Sequence, residues 1–494
     1  MRPEKIAIVL VLFFLAAATS RADELDELVA LAFSNSPTLS AANEGSHQAE
    51  AAFDATSEFL DPHTIAAAGR MSGSAATPMI AAPAGLPGAD AYGAAAGVEV
   101  PIRPGIYAGV GASEQYRANP ANGIDSGYST LVGAQIRIPL LQDRGFSLWR
   151  QTQARQKDLQ VAAAARLLET HQTVRHAVEL AYYAYLLEIA NAATSWSATE
   201  RAQQLLKEAE ELVRLKMVPE YQLAPARLEL ALRREEIYSA NQAIDTARLR
   251  LGQVLGTPPP PFLTTNSETL ITRASTLHLP ETPQAARPVS TRGALGEIAA
   301  LATAAQADTR SLDNQLRPNL DLSLRGVWAT DDTSSQSTDP NLISGDQSSA
   351  AAVLVWTRPW SQTGTKARLR GARAREAQLA ALAKELGNQL SADQATAYRE
   401  FTGAGERYKE ITIAVEQARQ TLEAEAERFR LGEGRSRNVL DAQNDLTKAY
   451  RARNAIVAAL MKGHSDFMYA SGYQADKIPP SDKPTMGGHP DGHQ

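Results

Sequence analysis

Two stretches of this 494-residue chain run for some 70 residues each with almost no helix breaker. From Arg144 to Leu215 there is no proline and hardly any glycine. Ser361 to Leu431 is similar apart from Gly364, Gly371, Gly387, Gly403 and Gly405. At 1.5 Å per residue such helices are rods of roughly 105 Å, far longer than one globular domain. A rod of that length cannot bury its apolar stripe alone. Each is followed by a shorter periodic segment, about Pro219–Gly256 and Arg435–Tyr469. Ile237, Ala240, Ile244, Ala247, Leu251 and Val254 keep a 3-4 spacing, as do Leu446, Ala449, Arg453, Ile456 and Leu460 apart from the one arginine. These read as coiled-coil seams, and the abundant alanine suits close helix approach.

The chain also resembles itself. Arg428-Phe-Arg-Leu-Gly432 through Leu446 matches Leu212-Val-Arg-Leu-Lys216 through Leu230 at an offset of 216 residues, and Ala397-Tyr398 matches Ala181-Tyr182 at the same offset. Nearer the start of each half, Leu39 matches Leu295 and Pro62 matches Pro318 at 256. The first half therefore holds about 40 extra residues, and aligning Pro139 with Pro359 places 36 of them before Pro139. They are a longer loop or an added hairpin.

Between the helical segments the period changes to two. Ile106, Ala108, Val110 and Ala112 alternate with Gly105, Tyr107, Gly109 and Gly111. Thr130 to Ile138 behaves likewise. Leu320, Leu322, Leu324 and Trp328 fall on one face, with Asn319, Asp321, Ser323 and Arg325 on the other. Strands with one apolar and one polar face suit a membrane barrel or a soluble sandwich. The long helices favour the barrel, because four strands and four helix tracks per chain are an incomplete barrel on an incomplete tube and require self-association.

The compartment follows from the first residues. Arg2 and Lys5 precede an apolar stretch, Ile6 to Ala18, and Ser20-Arg21-Ala22 offers a small-x-small cleavage site before Asp23. This is the pattern of a secretory signal over 1–22. Its removal takes the formal charge from −6 to −8. Zero cysteines exclude thiol catalysis, cysteine-based metal sites and lipidation on cysteine, and the acidic balance argues against nucleic acid. No other 20-residue apolar run exists, so a helical integral membrane protein is not expected. There is no HExxH, GxxxxGK[ST] or GxSxG; no cofactor, metal site or catalytic residue is assigned, and the chain is not expected to be an enzyme.

Several motifs together resemble the TolC-like outer-membrane efflux family over nearly the whole mature chain. They are Leu25-Asp-Glu-Leu-Val-Ala-Leu-Ala32 with Asn35-Ser-Pro-Thr-Leu39, Ile138-Pro-Leu-Leu-Gln-Asp-Arg-Gly145, the two Ala-Tyr pairs, and Arg428-Phe-Arg-Leu-Gly-Glu-Gly through Val439-Leu-Asp-Ala-Gln443. The resemblance implies a mainly α chain with a membrane β-barrel. It implies a homotrimer in which each copy gives four strands to a 12-stranded barrel and its helices to a long periplasmic tube. It implies residence in the outer membrane of a Gram-negative-type cell, contact with its lipid, and partnership with a periplasmic adaptor and an inner-membrane pump. The chain would be the passive conduit of a tripartite efflux or type I secretion system. The alternatives are a periplasmic coiled-coil scaffold with a small β domain, and an exported enzyme.

The organisation expected is a first efflux repeat over 23–256 (strand region about 62–140, long helix 144–215, return helix 219–256) and a Pro-rich connecting region over 257–291. A second repeat follows over 292–470 (strand region about 318–358, long helix 361–431, return helix 435–469), with a disordered tail over 471–494. By the same resemblance, Lys216, Met217, Val218 and Pro219 form one adaptor-contact hairpin tip, and Leu431, Gly432, Glu433 and Gly434 the other. Lys216 stands where the family's glycine is expected. Asn438 and Asp441 match the family's periplasmic constriction, where three copies of Asp441 would repel and favour bound cations. Phe429 and Gln222 occupy places where the family links neighbouring hairpins by polar contacts, and Phe429 cannot donate a hydrogen bond.

Two further clusters stand out. Arg358, Lys366, Arg368, Arg370, Arg373 and Arg375 occur with no acidic residue among them, as a collar for headgroups or anionic cargo or as an ordinary solvated surface. His464, His489 and His493 suggest adventitious metal binding rather than a dedicated site. His171 and His176, five apart, do not share one helix face.

Overall fold

The computed structural model describes residues 24–71, 90–102, 105–118, 127–277, 292–332 and 347–472. The expected signal segment, residues 278–291 of the connecting region and nearly all of the expected tail, with His489 and His493, lie outside the described residues. The chain divides into two units. One comprises residues 1–46, 163–297 and 382–494, the other 47–162 and 298–381.

The first unit is helical. Helix α1 (Glu24–Asn35) begins with Glu24, Asp26 and Glu27, which complement the positive end of the helix dipole. It buries Leu25, Leu28, Val29 and Ala32, an i, i+3, i+4, i+7 stripe. Pro37 starts helix α2 (Pro37–Asp54), where its missing N–H costs nothing, and the Ser36 hydroxyl accepts the Leu39 N–H at 3.3 Å. The α1 stripe packs on Val178, Tyr182 and Leu186 of α3 (Ser147–Arg214), on Leu251 and Leu255 of α4 (Leu223–Leu255), and on Val457 and Met461 of α8 (Ser436–Ala470). Tyr182 of the first Ala-Tyr pair is wholly buried, donates to Glu24 at 2.9 Å, and has its phenol pushed up by that burial. Part of the connecting region is anchored: Leu263 and Leu270 join the core, the latter within the short helix α5 (Thr269–Ser275), and the Thr264 N–H donates to Glu24 at 2.7 Å.

The seam residues Ile237, Ala247 and Leu251 face inward as expected. The second long helix, α7 (Thr363–Arg430), buries Leu369, Leu379, Leu390, Ala397, Ala404, Val415, Leu422 and Phe429. Their spacings are all seven, ten or eleven residues, so one narrow stripe is buried and most of the circumference is exposed.

The second unit carries the sheet. It also holds helix α6 (Gly293–Gln315) from Ile298 onward and the first turns of α3 and α7. Among the described residues six antiparallel strands lie in sequence order: β1 (His63–Met71), β2 (Asp90–Ile102), β3 (Ile106–Ala118), β4 (Gly127–Pro139), β5 (Asn319–Asp332) and β6 (Gln347–Thr357). This corrects the expectation of four strands per chain. His63 and Asn319, which open β1 and β5, stand 256 apart, and Gly127 and Gln347, which open β4 and β6, stand 220 apart. These are the two offsets found in the sequence. The β2–β3 hairpin, residues 90–118, therefore lies within the stretch that holds the 36 extra residues, between β1 and β4, which stand at those offsets from β5 and β6.

The register gives the sheet two chemically distinct faces. Val98 opposes Val110, Ile136 opposes Leu324, Leu322 opposes Leu354 and Leu320 opposes Trp356 on one face. The other face pairs Gln135 with Arg325 and Arg137 with Ser323. Also on that face, Glu99 lies 3.5 Å from Arg137 and accepts from Gln135 at 3.3 Å. Tyr92, Tyr116 and Tyr128 are register partners in one row across β2, β3 and β4.

The turn between β4 and α3 explains the Gln-Asp-Arg-Gly motif. Asp143, Gly145 and Phe146 all have positive φ (59°, 64° and 56°), a run that costs conformational energy and must be held by its surroundings. The Asp143 carboxylate accepts the Leu148 N–H at 2.7 Å, and the Asp143 N–H donates to Asn314 at 3.0 Å. Phe146 is buried edge-on to Phe59 and Tyr107. Gly105, in the β2–β3 turn with φ +118°, lies so close that a Cβ there would overlap the Gly145 Cα and approach its N to 2.8 Å.

Candidate functional site

The two helix–helix turns are built alike although their sequences differ. At the end of α3, Lys216 N–H donates to Val213 O and Met217 N–H to Leu212 O, both at 2.9 Å. At the end of α7, Gly432 N–H donates to Phe429 O and Glu433 N–H to Arg428 O, both at 3.0 Å. This pair of bonds is the Schellman pattern, which satisfies carbonyls that a helix end leaves open. It needs a left-handed residue, supplied by Gly432 at φ +76° and by Lys216 at φ +59°. The family's missing glycine thus leaves the backbone pattern unchanged. Pro219 is extended and leads into a 3-10 turn, Glu220–Gln222, before α4.

The two tips touch within one chain. The Met217 methyl lies 3.3 Å from where a Gly432 Cβ would be. Arg430 pairs with Glu208 at 3.2 Å. Ser436, the buried first residue of α8, donates its hydroxyl to Gln222 O and its N–H to the Gln222 side chain, each at 3.3 Å. Gln222 is therefore engaged inside its own protomer, and Phe429 is a wholly buried core residue packed with Val218, Leu223 and Val439.

Leu431, Gly432 and Glu433 are exposed, as are Lys216, Met217 and Pro219; Val218 is buried and Gly434 half-buried. A Cβ at Gly434 would sit 3.0 Å from Phe429 N, so this position is fixed by packing. Asn438 and Asp441 lie one turn apart on the exposed side of α8, opposite Val439, Leu440 and Ala442. Asn438 donates to Glu425 at 3.4 Å. Asp445 pairs with Lys448 at 3.4 Å, whereas no ion pair among the described residues involves Asp441.

A polar layer behind the tips was not read from the sequence. Arg233 of α4 is buried on the seam side and bonds Glu229 and Glu236 of its own helix and Asn444 of α8. Arg451 of α8 reaches Glu236 at 2.9 Å and Ser195 of α3 at 3.0 Å. Arg201 donates to Thr447 at 3.3 Å, and burial pulls its guanidinium below the ordinary value. Spacing could not show this, because Arg233 interrupts an apolar stripe and the members of the layer come from three helices.

The histidines do not converge. His171 packs edge-on to Phe33, His176 stacks on Tyr469 with Asp466 at 3.2 Å, and His464 is half-buried beside Phe401 with its imidazole pushed down by desolvation. Among the described residues no group of three or more His, Asp or Glu could hold a metal ion, and no helix is long and apolar enough to cross a membrane. The basic residues from Arg358 to Arg375 are exposed and begin between exposed Trp356 and Trp360; Arg373 comes within 3.9 Å of Asp313.

No protein-family model matches the chain, and no curated protein matches its sequence. Solved structures do. CusC, described in the context of transmembrane channel formation, aligns with a TM-score of 0.63 at 16% identity over 91% of this chain and 92% of its own. The outer-membrane channel OprN aligns with 0.63 at 17% over 91% and 89%. The outer membrane protein VceC from Vibrio cholerae aligns with 0.61 at 16% over 91% and 96%. Over nine-tenths of its length, the chain has the fold of the TolC-like outer-membrane channels.

Proposed function

We propose that this protein is the outer-membrane channel of a tripartite efflux or type I secretion system. It would act as a passive conduit working with a periplasmic adaptor and an inner-membrane pump, and would carry out no chemistry of its own. The observation that carries this is the sheet. One face presents Val98, Val110, Ile136, Leu324, Leu354 and Trp356 exposed, while the other holds Glu99, Gln135, Arg137 and Arg325. An exposed apolar face fits lipid and a polar face fits a water-filled lumen. Tyr92 and Tyr116 lie towards one end of the strands, and Trp356 and Trp360 with the basic cluster at the other. This suits interfacial anchoring with cations at the headgroups.

Self-association accounts for the exposed apolar residues of the helices. Besides the mostly open α7, helix α4 and the turn before it expose Tyr221, Leu228, Tyr238 and Leu249 at spacings of seven, ten and eleven, a second stripe that a neighbouring copy would bury. The copies form a homotrimer built from two efflux repeats per chain. The paired tips meet the adaptor, and Asp441 with Asn438 lines the constriction.

The test is fractionation followed by planar-bilayer recording. The protein is expected in the outer membrane as a heat-modifiable species that conducts, with a block by divalent cations that Asp441→Ala relieves. A soluble protein, as a periplasmic scaffold would be, sinks the channel; an unchanged block removes the Asp441 ring alone.

A further inference from the structure

The sheet ends in two open edges, β1 and β6, and no membrane-embedded sheet can leave its backbone groups unpaired. We infer that β6 of one copy pairs antiparallel with β1 of the next, in a register fixed by the strand pair β4·β5, and that three copies so close an 18-stranded barrel. The count of three rests on the homotrimer proposed above.

The register follows from the two offsets. Strand β4 stands to β6 at 220, and β1 to β5 at 256. Within one chain, β4 and β5 join the two halves, with Gln135 opposite Arg325 and Gly133 opposite Val327. Carrying both partners through the offsets puts Val355 opposite Gly69, Val353 opposite Met71 and Thr357 opposite Ala67. Both offsets are even, so each residue stays on its own face. Because the strand number is even, β1 and β6 run in opposite directions and can pair antiparallel without a break.

A second observation agrees. The polar face breaks its pattern at the edges, where Val353, Val355 and Ile65 stand exposed at 43%, 44% and 61%. These residues would lie along the predicted seam, covered by the neighbour, whereas the charged pairs of that face lie on inner strands. The functional consequence is width. Barrel diameter grows roughly linearly with strand number, so 18 strands instead of 12 widen the outlet about 1.5-fold, into the range of 16–18-stranded porins with an aqueous channel. The β2–β3 hairpin would thus make a wider exit for bulky cargo.

The chain has no cysteine, so the register can be read by disulfide trapping in the full-length protein. Directly opposed antiparallel residues have Cα separations that a disulfide spans. Val355→Cys with Gly69→Cys is the test pair; a Cβ at Gly69 meets nothing within 4 Å. Gln135→Cys with Arg325→Cys is the equivalent pair inside one chain and reports that the sheet has folded. Val355→Cys with Ala68→Cys is the one-residue slip.

Outer-membrane fractions of the test pair are expected to give covalent dimers and trimers on oxidation, with no band beyond three subunits. The slip pair should stay monomeric, and the internal pair should oxidise without changing its band. The inference is overturned by a monomeric test pair beside an oxidised internal pair, by equal linking of the slip pair, or by a ladder ending at two. Absence from the outer membrane overturns the channel reading and this one together, whereas a conducting membrane protein with no linked bands overturns this one alone.

Discussion

At Lys216 a long cationic side chain sits on left-handed backbone, which a Cβ makes unfavourable by roughly 1 kcal/mol relative to glycine. The Schellman bonds to Val213 and Leu212 hold it there. Lys216→Gly should therefore stabilise the helical unit by about 0.5–1 kcal/mol, less the entropy that glycine adds to the unfolded chain. Urea titration followed by circular dichroism checks this, and a loss of stability would mean that the lysine side chain makes a compensating contact. The sequence marked Lys216 as a departure but could not show that the backbone absorbs it, because left-handed conformation is visible in sequence only where glycine or asparagine signals it. Phe429 was similarly opaque. The sequence showed only that it cannot make the family's polar link, whereas its burial with Val218 and Leu223 depends on a segment about 200 residues earlier in the chain.

The helices were the most legible elements, because 3.6-residue periodicity and the placement of proline and glycine are local signals. Pro37 at a helix start, the unbroken α3 and α7, and the left-handed Gly256 closing α4 all follow from them. The sheet was legible in its faces but not in its strand count. Residues 90–102 contain Pro101 and many alanines and glycines, which weaken any strand signal, and only the pairing of Val98 with Val110 and Val100 with Ala108 makes the segment a strand. The hairpin is fixed at its turn by glycine meeting glycine. Gly105→Ala must push the turn away from Gly145 and adopt an unfavourable positive φ, a change that separates Tyr107 from Phe146. A cost of about 2–4 kcal/mol is expected. It should appear as a lower heat-modification temperature on gels.

For the whole molecule, the number of strands matters less than its parity. Because neighbours are antiparallel and consecutive, β1 starts and β4 finishes at the same end of the sheet, as do β5 and β6. Each half can then leave and re-enter on one side of a membrane. An added hairpin keeps that property, and an added single strand would destroy it by sending α3 to the opposite side. Excision therefore separates the two cases. Removing residues 83–118 deletes both added strands and leaves residues 72–82 and 119–126 to join β1 to β4. The shortened chain loses Tyr107 from its aromatic cluster and should be less stable. It should nevertheless reach the outer membrane, and its tips should remain on the periplasmic side. Removing β2 alone should abolish a heat-modifiable species, since β4 would then have to run parallel to its neighbour or carry α3 outward. Protease added to intact cells and to opened envelopes reads the outcome. If the hairpin excision is as defective as the single-strand excision while the helical unit still folds, the hairpin is integral to closure rather than a widening insertion, and the correspondence of β1 with β5 and β4 with β6 loses its meaning.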